Sequence, residues 1–186
     1  MPTKQQGVDE VTKAEYEENL IENLNDLAAR LASMSYKPQP VRRVNIPKGD
    51  GKSTRPLGIP AYEDKIVQLS LKMLLEPIFE REFLDCSYGF RPGRSCPSAL
   101  RELNSIIERG KISYIVDADI KSFFDTVDHD WMMKCIEQRV EDPRIKRLLI
   151  RFLRAGVMVE GEVKPSKRGT PQGGLYKALH NPPYAK

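Results

Sequence analysis

The sequence predicts an α+β fold in which helices surround two β-hairpins and one further strand. Apolar residues recur at helical spacing in some stretches, whereas others alternate apolar and polar side chains around glycine-containing turns. The predicted helices are 12–32, 62–83, 95–110, 128–136 and 142–155, and the predicted hairpins are 41–59 and 157–163. The further strand begins at Tyr114 and is apolar until it meets Asp117. Separate runs of helices and antiparallel hairpins are typical of the α+β class.

Several predicted helices begin at side chains that can accept hydrogen bonds from the first free backbone N–H groups. Thr12 is followed three residues later by Glu15, which is the spacing of a capping box. Proline follows the last predicted cap and suits the first position of a helix. The predicted caps are Thr12, Ser95, Asp128 or Asp130, and Asp142.

The chain is organised around the stretch from Tyr114 to His129, where an apolar strand meets carboxylates. Asp117 and Asp119 lie two residues apart, so they would share one face of a strand. A carboxylate buried at a strand end is costly unless a cation or several hydrogen bonds receive it. Because Mg²⁺ commonly takes one or two carboxylates and completes its shell with water and phosphate, Asp119 is a candidate metal ligand. The alternative is a strand-end aspartate that caps the next turn.

Length and composition predict one domain, with or without an extension, and a heavily charged surface. The chain has 186 residues, of which 30% are charged and 40% hydrophobic. It contains no run of about 18 apolar residues, and its first residues lack the apolar segment of a signal peptide. Its 3 cysteines show no Cys-x-x-Cys spacing. We therefore expect a cytoplasmic protein with reduced thiols and without a membrane span, disulfide framework or zinc site.

The net charge of +4 conceals two strongly basic segments. Residues 37–55 carry six basic side chains against one acidic, and residues 144–168 carry eight against two. Pro, Gly and apolar residues interrupt both segments, which favours a surface that binds a polyanion over a disordered tail. At the first hairpin, Lys48, Lys52 and Arg55 can grip a triphosphate, because a guanidinium binds phosphate oxygens in a fork. The alternative is a merely solvated surface.

The loop 86–95 interleaves aromatic rings, glycines and arginines. Tyr88 and Phe90 can stack on a base while Arg91 and Arg94 hold the nucleic-acid backbone. The alternative is a tight glycine turn around a buried tyrosine. Composition alone leaves both interpretations open.

Five segments of the chain carry recognisable motifs in a fixed order. They are Gly7-Val-Asp9, Arg55-Pro-Leu-Gly-Ile-Pro60 with Gln68, Ser87-Tyr-Gly-Phe-Arg-Pro-Gly-Arg-Ser95, Asp119-Ile-Lys-Ser-Phe-Phe-Asp-Thr-Val-Asp-His129 and Arg168-Gly-Thr-Pro-Gln-Gly-Gly174. In this order and spacing they resemble the reverse transcriptases and maturases of bacterial group II introns, which are related to retron-type reverse transcriptases. The resemblance covers the chain from about residue 7 to residue 174.

The resemblance implies the right-hand fold of an RNA-directed DNA polymerase, with fingers and an incomplete palm present. It implies that Asp119, with the carbonyl of Ile120, binds a catalytic Mg²⁺ ion, and that Phe124 is the steric gate against ribonucleotides. A DNA primer would be extended on an RNA template or intron RNA. The other implied contacts are Lys48, Arg55 and Gln172 to the incoming dNTP, and Tyr88, Phe90, Arg91, Arg94 and Gly173 to the template.

The same resemblance divides the chain into regions. Residues 1–36 would form an N-terminal helical extension and residues 37–112 the fingers. Residues 113–174 would form part of the palm, and residues 175–186 are a divergent tail.

After Gly174 the sequence departs from the family pattern. The family supplies further metal-binding carboxylates from a Tyr-Ala-Asp-Asp box, but no Asp or Glu follows Glu162 here. Since a single carboxylate site cannot form a two-metal clamp, we expect no polymerase activity from this chain alone. Three hypotheses follow: a nucleic-acid platform without turnover, an RNA-binding maturase-type fragment without catalysis, and a decayed remnant without function.

Overall fold

The structure, a computed structural model, describes residues 6–47, 49, 51 and 53–170. Its elements are helices α1 (Lys13–Glu18) and α2 (Leu20–Ala32), strands β1 (Val41–Pro47) and β2 (Thr54–Ile59), helices α3 (Tyr62–Glu80), α4 (Cys96–Arg109), α5 (Phe123–Thr126), α6 (His129–Glu137) and α7 (Pro143–Arg154), and strands β3 (Val157–Val159) and β4 (Glu162–Lys164). Helices around a small sheet confirm the predicted α+β class. Among the described residues, no helix is long and apolar enough to cross a membrane.

The predicted helix caps are present. The Thr12 hydroxyl accepts from the backbone N–H of Glu15 at 3.3 Å, and the Glu15 carboxylate accepts from the backbone N–H of Thr12 at 2.7 Å. Ser95, Asp128 and Asp142 cap α4, α6 and α7 through their side-chain oxygens. The hydrogen bonds that the Asp128 carboxylate accepts from backbone N–H groups lower its pKa. Local side-chain chemistry therefore determines where these helices begin.

The predicted helix 12–32 is divided in two at Asn19. Asn19 has φ −124° and ψ 41°, which lies outside helical geometry. The side-chain amide of Asn23 donates to the carbonyl of Tyr16 at 3.0 Å, so a carbonyl left free at the end of α1 is satisfied. The break is stable because a side chain replaces the lost backbone hydrogen bond.

The two hairpins form one four-stranded sheet in the order β2-β1-β3-β4. The pairs β1–β2 and β3–β4 are antiparallel, as the hairpins predicted, with Ile46 opposite Arg55 in the first. The pair β1–β3 is parallel, with Val41 opposite Val157. This long-range pairing brings the two basic segments of the sequence to the same sheet.

The predicted strand that begins at Tyr114 is not present. Residues 111–120 have no regular structure, and the side chains of Tyr114 and Val116 are 89% and 87% exposed. A strand is stable only when neighbouring strands pair with it, and in the part of the chain that the structure describes no strand lies beside this segment. The apolar run is present in the sequence, but the prediction that it forms a strand is wrong for this structure.

The core lies among four helices and the loop that precedes β1. It is built from residues at helical spacing, so each helix buries one face. The buried side chains are Leu27, Tyr36, Val67, Leu71, Leu75, Phe79, Met132, Met133, Ile136, Val140, Leu149, Phe152 and Leu153.

One carboxylate is buried beside this core. Asp64 is 2% exposed and accepts hydrogen bonds from the hydroxyl of Tyr36 and from the backbone N–H of Gln39. Burial raises the pKa of Asp64 to about 6, although both hydrogen bonds act in the opposite direction. Asp64 thus attaches the loop before β1 to the first turn of α3.

Candidate nucleic-acid interface

The candidate metal ligand Asp119 lies on the exposed segment 111–120. The expectation of a carboxylate buried at a strand end is wrong for this structure, because no strand forms and Asp119 is exposed. Ile120, whose carbonyl is the other implied ligand, is 69% exposed. Among the described residues, no three His, Cys, Asp or Glu side chains gather in a group that could hold a metal ion. Asp119 is therefore accessible to a ligand but is not part of a preformed metal cage.

Helix α5, which follows this segment, is joined to the loop after β4. The backbone N–H of Gly169 donates to the carbonyl of Val127 and that of Thr170 to the carbonyl of Phe124, both at 2.7 Å. The ring Nε2 of His129 donates to the carbonyl of Gly169 at 2.7 Å. Two motifs that lie about 40 residues apart in the sequence therefore belong to one site.

Gly169 allows this contact because it has no side chain. Its φ is +75°, which an L side chain adopts only with strain. A Cβ added there would lie 2.6 Å from the carbonyl oxygen of Asp125. The backbone of α5 and the backbone of the loop thus approach more closely than any other residue would permit.

The predicted steric gate, Phe124, lies in α5 beside this contact. Its ring is half-buried and meets the ring of Phe123 edge to face, with 5.4 Å between the ring centroids. The structure thus shows what surrounds Phe124, and its role as a steric gate stays a prediction.

The predicted triphosphate grip is only partly within the described residues. Arg55 is exposed near the turn of the first hairpin, opposite Ile46. Lys48, Lys52, Gln172 and Gly173 lie outside the described residues. Their proposed contacts to nucleotide and template stay predictions.

In the loop 86–95, the Arg91 side chain forms its hydrogen bonds within the protein and holds the loop in place. Its guanidinium bonds to the carboxylate of Glu80 at 2.7 Å and donates to the carbonyls of Leu84 and Ser87 at 2.7 and 2.9 Å. The Arg91 side chain is 6% exposed, and the hydrogen bond to Glu80 raises its pKa. Its donors are thus engaged within the protein, which favours a role in shaping the loop over the predicted contact with the template.

The other three loop residues are arranged differently. Phe90 is 62% exposed at a φ of +59°. The guanidinium carbon of Arg94 lies 5.2 Å from the ring centroid of the half-buried Tyr88, and Arg94 reaches the carboxylate of Asp85 at 3.5 Å. An exposed ring beside an arginine–tyrosine stack is compatible with base stacking.

A basic pocket of about 240 Å³ lies between the β1–β2 hairpin and the chain that follows β4. Four cationic side chains line it, and Asp125 is the acidic residue among its lining residues. Within the described residues none of the four cations forms an ion pair. We call this cavity the basic pocket; its cations are Arg43, Lys164, Lys167 and Arg168.

Sequence reasoning did not name these four residues as a site. It placed them in two basic segments but gave no reason to bring the segments together. The parallel pairing of β1 with β3 does so, since it sets Arg43 beside the strand that leads to Lys164. The signals in the sequence were the excess of positive charge in each segment and the position of Arg168 at the start of the fifth motif.

The Gly7-Val-Asp9 motif is an anchor for α3. The Asp9 carboxylate accepts from the backbone N–H of Tyr62 at 2.7 Å, at the start of that helix. A Cβ at Gly7 would lie 2.5 Å from the Cα of Ala61. Close backbone packing therefore explains the glycine, and helix capping explains the aspartate.

Comparison with known proteins agrees with these motifs. Residues 46–176 match the family model described as reverse transcriptase (RNA-dependent DNA polymerase). Protein YkfC of Escherichia coli strain K12 is 41% identical over 178 residues, which cover 93% of this chain and 46% of that protein. The group II intron-encoded protein LtrA of Lactococcus lactis subsp. cremoris is 39% identical over 158 residues, covering 85% of this chain and 26% of LtrA.

A solved structure supports the fold. A chain of the partial Cas6-RT-Cas1–Cas2 complex superposes with a TM-score of 0.58 at 19% identity, covering 89% of this chain and 28% of that chain. The present chain spans less than half the length of each of these relatives. By its family match over residues 46–176, the chain belongs to the reverse transcriptase family.

Proposed function

We propose that this chain is a nucleic-acid platform of a group II intron reverse transcriptase, holding an RNA template without polymerising on its own. The observation that carries the proposal is the basic pocket, which lies beside α5 and is lined by four cations with a single acidic residue. Because a phosphate backbone binds where cations are concentrated and not neutralised, an RNA strand is the ligand that fits best.

The catalytic roles rest on the family motifs. Asp119 and the carbonyl of Ile120 would hold Mg²⁺, which supplies Lewis-acid stabilisation of the transferred phosphoryl group when it is bound. Lys48, Arg55 and Gln172 would hold the dNTP, with Phe124 as steric gate. Residues 163–186 contain no Asp or Glu, so the later carboxylates that the family motifs imply are not among these 186 residues. We therefore propose binding of template and primer without turnover.

Binding is tested with a fluorescent RNA template annealed to a DNA primer, titrated at two salt concentrations. The pocket variant is Lys164→Gln/Lys167→Gln/Arg168→Gln. We expect weaker binding and a salt slope reduced by about two, since each phosphate contact contributes about 0.7–0.9 to that slope. The matched control is Arg101→Gln/Arg109→Gln/Lys111→Gln, which removes the same charge from exposed residues on and just after α4. Equal losses in both variants, or no binding at low salt, would contradict the platform.

Turnover is tested separately by primer extension with dNTPs and Mg²⁺. We expect no extension by the purified chain. Synthesis that is lost in Asp119→Ala would show that one carboxylate site suffices, and the proposed lack of turnover would then be wrong.

A further inference from the structure

Helix α7 carries a second basic surface that the basic pocket does not include. Arg144, Arg147, Arg151 and Arg154 follow one another at intervals of three, four and three residues. At about 100° per residue, these four positions lie within an arc of about 80° on the helix. The opposite face is apolar and buried, with Leu149, Phe152 and Leu153 in the core.

One of these arginines is committed to the fold. Arg151 donates from Nη1 to the carbonyls of Met34 and Tyr36, at 2.7 and 2.6 Å. It thus fastens the loop before β1 to α7. Arg151 is therefore excluded from the surface considered next.

The other three arginines are exposed, and in the part of the chain that the structure describes none of them forms an ion pair. The nearby Lys146 differs, since its Nζ lies 4.0 Å from the carboxylate of Glu137. We call Arg144, Arg147 and Arg154 the α7 arginine stripe. None of the three lines the basic pocket.

The position of Arg144 does not serve the stability of the helix. It lies in the first turn, where the helix dipole disfavours a cation, and that turn contains no acidic residue. The cap, Asp142, accepts from the backbone N–H of Arg144 at 2.7 Å. A cation at an unfavourable helix position points to a role outside the fold.

The chemistry of the α7 arginine stripe indicates which class of partner it binds. A membrane surface does not fit, because the apolar face that would enter the lipid is buried in the core. Arginine binds phosphate in a bidentate fork, which a row of lysines would not do. The stripe extends over about 15 Å, since ten residues at 1.5 Å each separate its ends. A run of backbone phosphates matches such a length, whereas a single phosphate group does not.

We propose that the α7 arginine stripe binds the phosphate backbone of a duplex region in a structured RNA, separately from the template strand in the basic pocket. Duplex RNA suits a rigid helix, because it is recognised largely by shape and backbone contacts. This inference rests on the proposed function in that both concern RNA. It adds a second contact surface with a different form of RNA.

The test compares two labelled probes, a 20-base-pair RNA duplex and a single-stranded RNA, on the full chain. The stripe variant is Arg144→Gln/Arg147→Gln/Arg154→Gln. We expect it to weaken duplex binding about tenfold or more and to lower the salt slope by about two. Binding of the single strand should stay within about twofold of wild type. The pocket variant should show the reverse pattern.

The outcomes separate this inference from the proposed function. No binding of either probe by the wild type would overturn the proposed function and the stripe with it. Unchanged duplex binding by the stripe variant, with single-strand binding still lost in the pocket variant, would overturn the stripe alone. Equal weakening by the Arg101→Gln/Arg109→Gln/Lys111→Gln control would show an effect of net charge and also overturn it. Competition by polyglutamate as strong as by unlabelled duplex would instead assign the stripe to an acidic protein partner.

The three substitutions are at exposed positions, so the variant should fold. Its thermal midpoint should equal that of wild type. Arg151→Gln is the contrasting variant, since it should lower the thermal midpoint by releasing the loop before β1. If the thermal midpoint of the stripe variant is lower than that of wild type, duplex binding is measured with the single variants Arg147→Gln and Arg154→Gln instead. The proposal is overturned unless both single variants weaken duplex binding.

Discussion

The core helices and the stretch from residue 80 to residue 131 have similar sequence patterns, but their apolar side chains differ in burial. Helices α3, α6 and α7 bury their apolar faces against one another. In residues 80–131, all of which the structure describes, no apolar residue is buried. Helix α4 illustrates this, since Leu100, Leu103 and Ile106 are 64%, 47% and 50% exposed.

The difference teaches that amphipathic pattern and capping are enough to form a helix but not to bury it. Helix α4 has a serine cap and apolar residues at helical spacing, as α7 has an aspartate cap and the same spacing. Within the described residues, α7 contributes to the buried core together with α3 and α6, and α4 contributes no buried residue to it. The candidate metal ligand Asp119 thus lies in the part of the molecule that the core supports least.

The largest expected effect is in the core. Leu149 is fully buried, so Leu149→Ala should lower the free energy of unfolding by about 2–5 kcal/mol. The matched change in the exposed stretch, Leu103→Ala, should cost less than about 1 kcal/mol. Urea denaturation of both variants measures this contrast. Similar losses would mean that α4 is buried in solution, and the comparison would fail.

The next effect is a pH dependence located in the core. The folded pKa of Asp64, about 6, is above its unfolded value near 3.8, so the folded state holds the proton more tightly. Stability should therefore fall by up to about 3 kcal/mol as pH rises from about 4 to about 6, and then level off. Denaturation across this range measures the slope, which Asp64→Asn should flatten. Leu149→Ala adds no titratable group and should keep the wild-type slope.

A smaller effect is expected where the exposed stretch is joined to the sheet. In Gly169→Ala, the new side chain would have a positive φ and would also contact backbone that cannot move easily. The substitution should therefore lower the free energy of unfolding by about 1–3 kcal/mol. Gly161→Ala is the control, because Gly161 has a φ of +84° but nothing within 4 Å of its added Cβ. The difference between the two variants measures the close approach alone. Hydrogen exchange at α5 should rise in Gly169→Ala only.

The smallest effect is expected at α4 itself. Leu103→Gln/Ile106→Gln should change the free energy of unfolding by no more than about 0.5 kcal/mol, since both side chains are already half in water. Association at high concentration should decrease, because exposed apolar patches promote it. Sedimentation of both proteins at several concentrations measures this. A large loss of stability would show that α4 has a packing partner within the chain.

Prediction from the sequence succeeded where the interaction is local. The cap of Thr12 and the antiparallel pairing within each of the two hairpins involve residues that lie close together in the sequence. The prediction of a strand from Tyr114 failed for the opposite reason, because a strand needs partners that the local pattern cannot supply. The contacts of Arg91 within the protein were not predicted for a related reason, since its carboxylate partner Glu80 lies eleven positions away.

The sequence by itself determined the family, the class of fold, the helix caps and the excess of positive charge in two segments. Tertiary structure alone decided that β1 pairs with β3, that this pairing forms the basic pocket, and which face of α7 is turned to solvent. The physical reason is distance along the chain. Caps and helical faces depend on neighbours within one or two turns, whereas a pocket depends on which remote backbones satisfy one another's hydrogen bonds.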